Sequence, residues 1–174
     1  VSGSHPSRRR HALWLSGALV VILAAIVAWI VAPLSPGVLV LQFAWTPRTF
    51  GEIVHLWPPE DLARYRAHLW VDGALLLAYG VLGYLLGTQT RLFAPLSLRL
   101  RRLAPFVLPL AAAFDAVENV LQAWLTAMPR FDVAPVYLAS AACSALKWGL
   151  LFVFGALLLW ALARGDEEDA PDCG

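Results

Sequence analysis

An uncharged run of 20 residues, Leu13 to Ala32, sets the first limit on this chain; its one hydrogen-bonding side chain besides tryptophan is Ser16. As a helix it reaches about 30 Å, the thickness of a bilayer's hydrocarbon core. Three further apolar runs follow, at about 69–87, 105–127 and 136–163. The second carries Asp72, the third Asp115 and Glu118, and the fourth Lys147. Their lengths and flanks predict spanning helices. The whole-chain balance agrees, with 60% hydrophobic and 14% charged residues, against about 45–50% and 25% in soluble domains. The expected fold is an all-α, polytopic membrane protein: a bundle of four transmembrane helices with an external amphipathic helix. Residues 1–12 form a short N-terminal segment, 13–163 the membrane domain, and 164–174 an acidic tail expected to be disordered.

Arg8, Arg9, Arg10 and His11 before the first run resemble the basic start of a signal peptide. The run is longer than a cleaved signal's usual 7–15 apolar residues, and Pro33 follows the small residue best placed for cleavage. A retained anchor is therefore expected. A net charge of +1 leaves no basic face to track a phosphate backbone, so nucleic acid is not an expected partner. Two cysteines, Cys143 and Cys173, make neither a disulfide framework nor a structural zinc site.

Basic residues set the expected orientation. Arg8, Arg9, Arg10, Arg91, Arg99, Arg101, Arg102 and Arg164 fall on one side, and Arg48, Arg64, Arg66 and Arg130 on the other. The positive-inside rule then places both termini in the cytoplasm of a multi-pass inner-membrane protein. Trp14, Trp29, Trp70, Trp124 and Trp160 lie near span ends, where their rings suit the headgroup region. Trp148, mid-span, is the exception.

The longest connection, Pro33 to His68, is expected on the outer side. Thr46 and Pro47 provide an N-cap and a first helical residue. Phe50, Ile53, Val54 and Trp57 then recur with helical spacing, predicting an amphipathic helix flat on the surface that acts as a lid. Pro58-Pro59 ends it, and Glu60 and Asp61 suit the first turn of a helix running into the second span. Val38 to Trp45 is too short to cross and is expected over the bundle's outer end. The connection Thr88 to Ala104 mixes leucines with four arginines and reads as an ordinary basic loop near lipid. Gly73, Gly80, Gly83 and Gly87, with alanines in the third span and Ala139, Ser140, Ala142 and Cys143 in the fourth, allow close helix approach. The Gly83/Gly87 spacing is expected to serve internal packing.

Ionisable groups inside a membrane each cost about 2.5–3.5 kcal/mol on insertion scales and face the bundle interior or water. Asp115, Glu118, Asn119 and Gln122 share one face of the third helix, Ser140, Ser144 and Lys147 one face of the fourth, and Asp72 and Tyr79 one face of the second. From the helical rise, Glu118 lies about 13 Å, Lys147 about 16 Å and Asp72 about 5 Å below the outer surface. The candidate ligand-binding set is therefore Asp72, Tyr79, Asp115, Glu118, Asn119, Gln122, Ser144 and Lys147, in the outer half of the membrane. Three carboxylates face one lysine. Lys147 is expected to pair with Asp115 or Glu118, which leaves a carboxylate to be balanced by a proton, by Arg64 or Arg66, or by a bound cation. The same residues can equally act as interhelical glue.

His5, His11, His55 and His68 all fall outside the expected spans and lack metal-site spacing, so no metal site and no cofactor is expected. No Gly-x-Ser-x-Gly motif is present. Cys143 reads as a packing residue.

Across about residues 37 to 157, the chain carries Gln42-Phe43-Ala44-x-Thr46, Glu52-Ile53, Trp57, Leu69-x-x-Asp72 with Tyr79, Asp115-x-x-Glu118-Asn119 and a late Lys147. In this succession it resembles a family of small four-span bacterial membrane proteins of unknown function. The resemblance implies that these positions form one module; it brings no activity with it. Three functions are open: binding or transport at the polar cluster of a small ligand, cation, proton or lipid headgroup; lipid-modifying catalysis by the carboxylates and Lys147; or a structural role as an accessory subunit. Whether the chain is an enzyme stays open. Lipids are the expected partners, with a homo-oligomer or a partner membrane protein as further options. The apolar cytoplasmic half of every span argues against a pore.

Overall fold

The computed structural model describes residues 6–128 and 130–168, with side chains from 11 to 164 apart from residue 129. They form six α-helices: α1 Pro6–Val31, α2 Val38–Gln42, α3 Pro47–Leu56, α4 Pro59–Gln89, α5 Leu98–Ala127 and α6 Ala134–Glu168. Four are long and apolar enough to cross a membrane, over His11–Val31, Pro59–Gln89, Leu98–Ala127 and Ala134–Arg164. The fold is the expected all-α architecture of four spanning helices with short helices added. The acidic stretch begins as the last turn of α6, and the tail beyond Glu168 lies outside the described residues.

α4 starts ten residues before the expected span. Pro59 stands in its first turn, followed by Glu60 and Asp61, where a fixed φ and negative charge both suit a helix N-terminus. Nothing between Asp61 and Leu69 breaks the helix, so the second span and its approach are one rod.

Seam positions explain how the rods pack. In α5, Ala104, Leu108, Ala111, Asp115, Glu118, Gln122 and Leu125 are all buried. Their alternating steps of four and three give the 3.5-residue period that keeps one stripe facing its neighbours. In α6 the stripe is Tyr137, Ser140, Ser144, Lys147, Phe154 and Ala161. α5 packs between α4 and α6, while α1 packs on α4 and makes no contact of comparable extent with α6. The bundle is thus a row, α1–α4–α5–α6, whose two outer members leave one side loosely closed. α1 exposes Trp14, Val21, Ile22 and Trp29, and Ser16 bonds to the carbonyl of Leu13 in its own helix at 3.0 Å. Its outward face is apolar and suited to lipid.

The α4–α5 contact depends on absent side chains. A Cβ built on Gly83 would stand 2.4 Å from Leu108 Cβ, and one on Gly87 2.6 Å from Pro105 Cα; one on Gly80 would stand 3.2 Å from Ala112 Cβ. These glycines serve internal packing, whereas Gly73 faces open space.

Two apolar clusters sit at opposite ends. At the lid end, Phe50, Ile53 and Val54 of α3 join Leu41 of α2, Trp57, Tyr65, Leu125 and Tyr137. Thr46 caps α3, its hydroxyl accepting from the Thr49 amide at 3.1 Å. Phe50 meets Tyr137 edge-on at 5.1 Å, and Trp57 lies 5.0 Å from Tyr65. The amphipathic helix therefore spends its apolar face on the bundle rather than on the membrane surface. At the other end, Phe93 and Leu96 join Ala104, Leu108, Phe154, Leu157 and Ala161. The segment read as an ordinary basic loop closes the bundle instead: Phe93 packs on Phe154 at 5.9 Å, while Arg91, Arg99, Arg101 and Arg102 remain exposed.

Candidate polar site between the two apolar plugs

Between these clusters lies a polar layer. Lys147 Nζ donates to Asp115 Oδ1 at 3.0 Å and stands 2.7 Å from Glu118 Oε2. The second contact is an ion pair without the alignment of a hydrogen bond, since Glu118 Oε2 accepts none. Glu118 Oε1 accepts from Gln122 Nε2 at 3.1 Å, and Gln122 Oε1 accepts from the Tyr65 hydroxyl. On the other flank Tyr79 donates to Asp115 Oδ2 at 2.9 Å. One chain of contacts thus runs Tyr79–Asp115–Lys147–Glu118–Gln122–Tyr65, linking α4, α5 and α6. Glu118 is 0% exposed. Thr126 completes the α5 face by bonding back to the carbonyl of Gln122 at 2.7 Å.

The expected site residues divide into three groups. Tyr79, Asp115, Glu118, Gln122 and Lys147 join this chain. Asp72 and Asn119 make a separate pair, with Asn119 Nδ2 donating to Asp72 Oδ2 at 2.7 Å. Ser144 is buried but donates to the carbonyl of Ser140 at 3.1 Å within its own helix, and the Ser140 hydroxyl itself has no partner among the described residues. The lysine satisfies both candidate partners rather than one. Arg64 stays near the surface, 3.8 Å from Asp61, and Arg66 is exposed, so neither arginine supplies the missing positive charge. Among the described residues, no group of three or more His, Cys, Asp or Glu is placed to hold a metal ion.

Two buried members of the site escaped the sequence reading, Tyr65 and His68. His68, one residue before the expected span of about 69–87, lies within α4. Its Nδ1 bonds to the backbone carbonyl of Tyr65, and a carbonyl can only accept, so Nδ1 carries the proton. The signal was the spacing Tyr65, His68, Asp72, Tyr79, in steps of three, four and seven, which is one helical face once the helix is extended back to Pro59.

The polar layer opens on a cavity of about 550 Å³ bounded by α1, α2, α4 and α6, with Leu108 and Asp115 of α5 at its back. Val20, Ala24, Val27, Leu75, Leu151 and Phe154 are among its apolar walls, and His68, Asp72, Tyr79, Asp115 and Lys147 stand on its polar side. Glu118 is not on the wall. Both bundle ends are plugged, so the cavity lies along the side where α1 and α6 fail to pack. Gln42 of α2 roofs it and accepts from Trp148 Nε1 at 3.1 Å. This bond accounts for the mid-span tryptophan: its N–H is directed to α2 rather than to the headgroups.

No family model, no curated protein and no solved structure matches this chain.

Proposed function

We propose that this chain is a multi-pass inner-membrane protein, both termini cytoplasmic, that binds a small amphiphile in the cavity between α1, α4 and α6. The polar head would meet the Asp72, Tyr79, Asp115 and Lys147 side, with Asn119 holding Asp72 and Glu118 holding Lys147 from behind, and Gln122 bracing Glu118. One observation carries the reading: a cavity of about 550 Å³ with apolar walls ends on ionisable groups and lies on the bundle's loosely packed side. Ligand sites span about 300–1,000 Å³ and combine apolar walls with a few convergent polar groups. An apolar molecule from the bilayer could enter sideways without crossing either plug. The resemblance to small four-span bacterial membrane proteins supports the module and leaves its ligand open. The basic residues around residues 91–102 support the orientation, which reporter fusions to each terminus would test.

Native mass spectrometry of the purified protein beside the Asp115→Asn/Glu118→Gln double variant tests the binding. A stoichiometric lipid or small molecule on the parent protein, lost in the variant, is the expected result. The absence of any adduct on the parent protein, even after incubation with bacterial lipid extract, would count against it.

A second reading rests on the mutual pairing of Lys147 with Asp115 and Glu118. A closed triad is what interhelical glue in an accessory subunit requires. In that case the double variant loses stability and neither form carries an adduct.

A further inference from the structure

The cavity wall has an unequal stock of hydrogen-bonding groups. Apart from the side-chain N–H groups of Gln42, its donors are largely committed within the protein. The Tyr79 hydroxyl goes to Asp115, Trp148 Nε1 to Gln42, and Lys147 to Asp115 and Glu118. The uncommitted groups include two acceptors. One is His68, which is 96% buried, from its 4% exposure: with Nδ1 spent on the Tyr65 carbonyl, Nε2 of the neutral ring keeps its lone pair and has no partner among the described residues. The other is the Asp72 carboxylate. It is held by the neutral amide of Asn119 and has no cation within ion-pairing distance, since the described ion pairs are Arg48–Glu52, Arg64–Asp61 and Lys147 with Asp115 and Glu118. His68 and Asp72 are four apart on α4 and both line the cavity.

The charge count points the same way. Asp72, Asp115 and Glu118 set against Lys147 leave an excess of two negative charges when all are ionised. A carboxylate facing an apolar cavity without a counter-ion is costly, and a positively charged ligand head relieves that cost. An anionic head would face Asp72 and the lone pair of His68 with no unpaired cation to receive it.

We infer that the cavity selects an amphiphilic amine: an ammonium head between Asp72 and His68 Nε2, and an aliphatic tail along Val20, Ala24, Val27 and Leu151. The inference rests on the proposed binding role and specifies its ligand class.

The test uses the full chain in nanodiscs of zwitterionic lipid and measures binding of dodecylamine, dodecanoate and dodecanol, which share one tail, and of ethylamine, which keeps the head without it. Dodecylamine is expected to bind about tenfold or more tighter than the other three. Asp72→Asn is expected to remove that preference, and Asp72→Glu to keep much of it. Histidine 68 is probed by His68→Phe, which keeps a ring against Tyr65 and removes the lone pair; it is expected to weaken dodecylamine and leave dodecanol unchanged. Equal binding of the three long-chain probes would overturn the amine assignment while the amphiphile cavity stands. Preference for dodecanoate would reverse the sign of the site and overturn it as well. Ethylamine binding as tightly as dodecylamine would remove the tail from the site. An amine preference that survives Asp72→Asn unchanged would overturn the assignment to this wall. No binding by any probe would sink both the inference and the binding role beneath it.

Discussion

Lys147 Nζ lies 2.7 Å from Glu118 Oε2 and, on its other side, 3.0 Å from Asp115 Oδ1. One ammonium therefore holds two carboxylates spaced three residues apart on α5. The α5 seam is apolar from Ala104 to Ala111 and polar from Asp115 to Gln122, so the pairing sits where the stripe changes character. Separating charges in this setting costs more than the pair contributes when intact.

Lys147→Met leaves two buried carboxylates facing each other without a cation. A stability loss of about 3–5 kcal/mol is expected, the range for stranding a buried ionic partner. Adding Asp115→Asn and Glu118→Gln to Lys147→Met should recover much of that loss, because no buried charge is then stranded. Reversible unfolding in mixed micelles measures both. Strictly additive losses across the three substitutions would show that the residues do not act as a unit.

The glycine stripe of α4 gives a prediction by contrast. Gly83→Ala places a Cβ 2.4 Å from Leu108 Cβ and forces α4 and α5 apart, costing about 1–3 kcal/mol. Gly73→Ala meets nothing within 4 Å and should be neutral, or stabilising by up to about 1 kcal/mol through helix propensity. Thermal unfolding of the two variants side by side reads the difference.

α2 is fastened to the cavity wall by the Trp148–Gln42 hydrogen bond. Trp148→Phe keeps an aromatic ring and removes the donor, leaving Gln42 Oε1 unsatisfied. Hydrogen exchange of residues 38–44 should quicken, with a global stability loss of about 0.5–1.5 kcal/mol. Unchanged exchange in that segment would show that α2 is held by Leu41 and its apolar neighbours alone.

Phe93 is the deepest side chain of the connection between α4 and α5, 2% exposed. Phe93→Ala opens a void against Phe154 and should cost about 3–5 kcal/mol. The neighbouring Arg91→Ala, at an exposed position, should stay within about 0.5 kcal/mol. A basic loop with no part in the core would give equally small effects at both positions.

Much of this architecture was legible in the residues. Four runs of sufficient length and apolarity have one membrane-compatible solution, because a backbone in lipid must satisfy its hydrogen bonds within its own helix. Thr46-Pro47 and Pro59-Glu60-Asp61 marked helix starts through local chemistry that needs no tertiary contact. Helical spacing alone put Asp115, Glu118 and Gln122 on one face and Lys147 on another. Which of these groups meet depended on how the helices are arranged in space. The sequence could offer Lys147 either carboxylate, and the packing of α5 between α4 and α6 delivers both. It could not assign His68, because its place at the cavity depends on which face α4 turns toward α1. Nor could it foresee that Phe93 plugs the bundle, since apolar residues scattered among arginines fit a membrane surface as well as a core. Periodicity determined the helices and their faces, a local property of the chain. The cavity, the split between the Lys147 triad and the Asp72–Asn119 pair, and the loosely closed side between α1 and α6 arose only from the order in which the rods pack, a long-range relation.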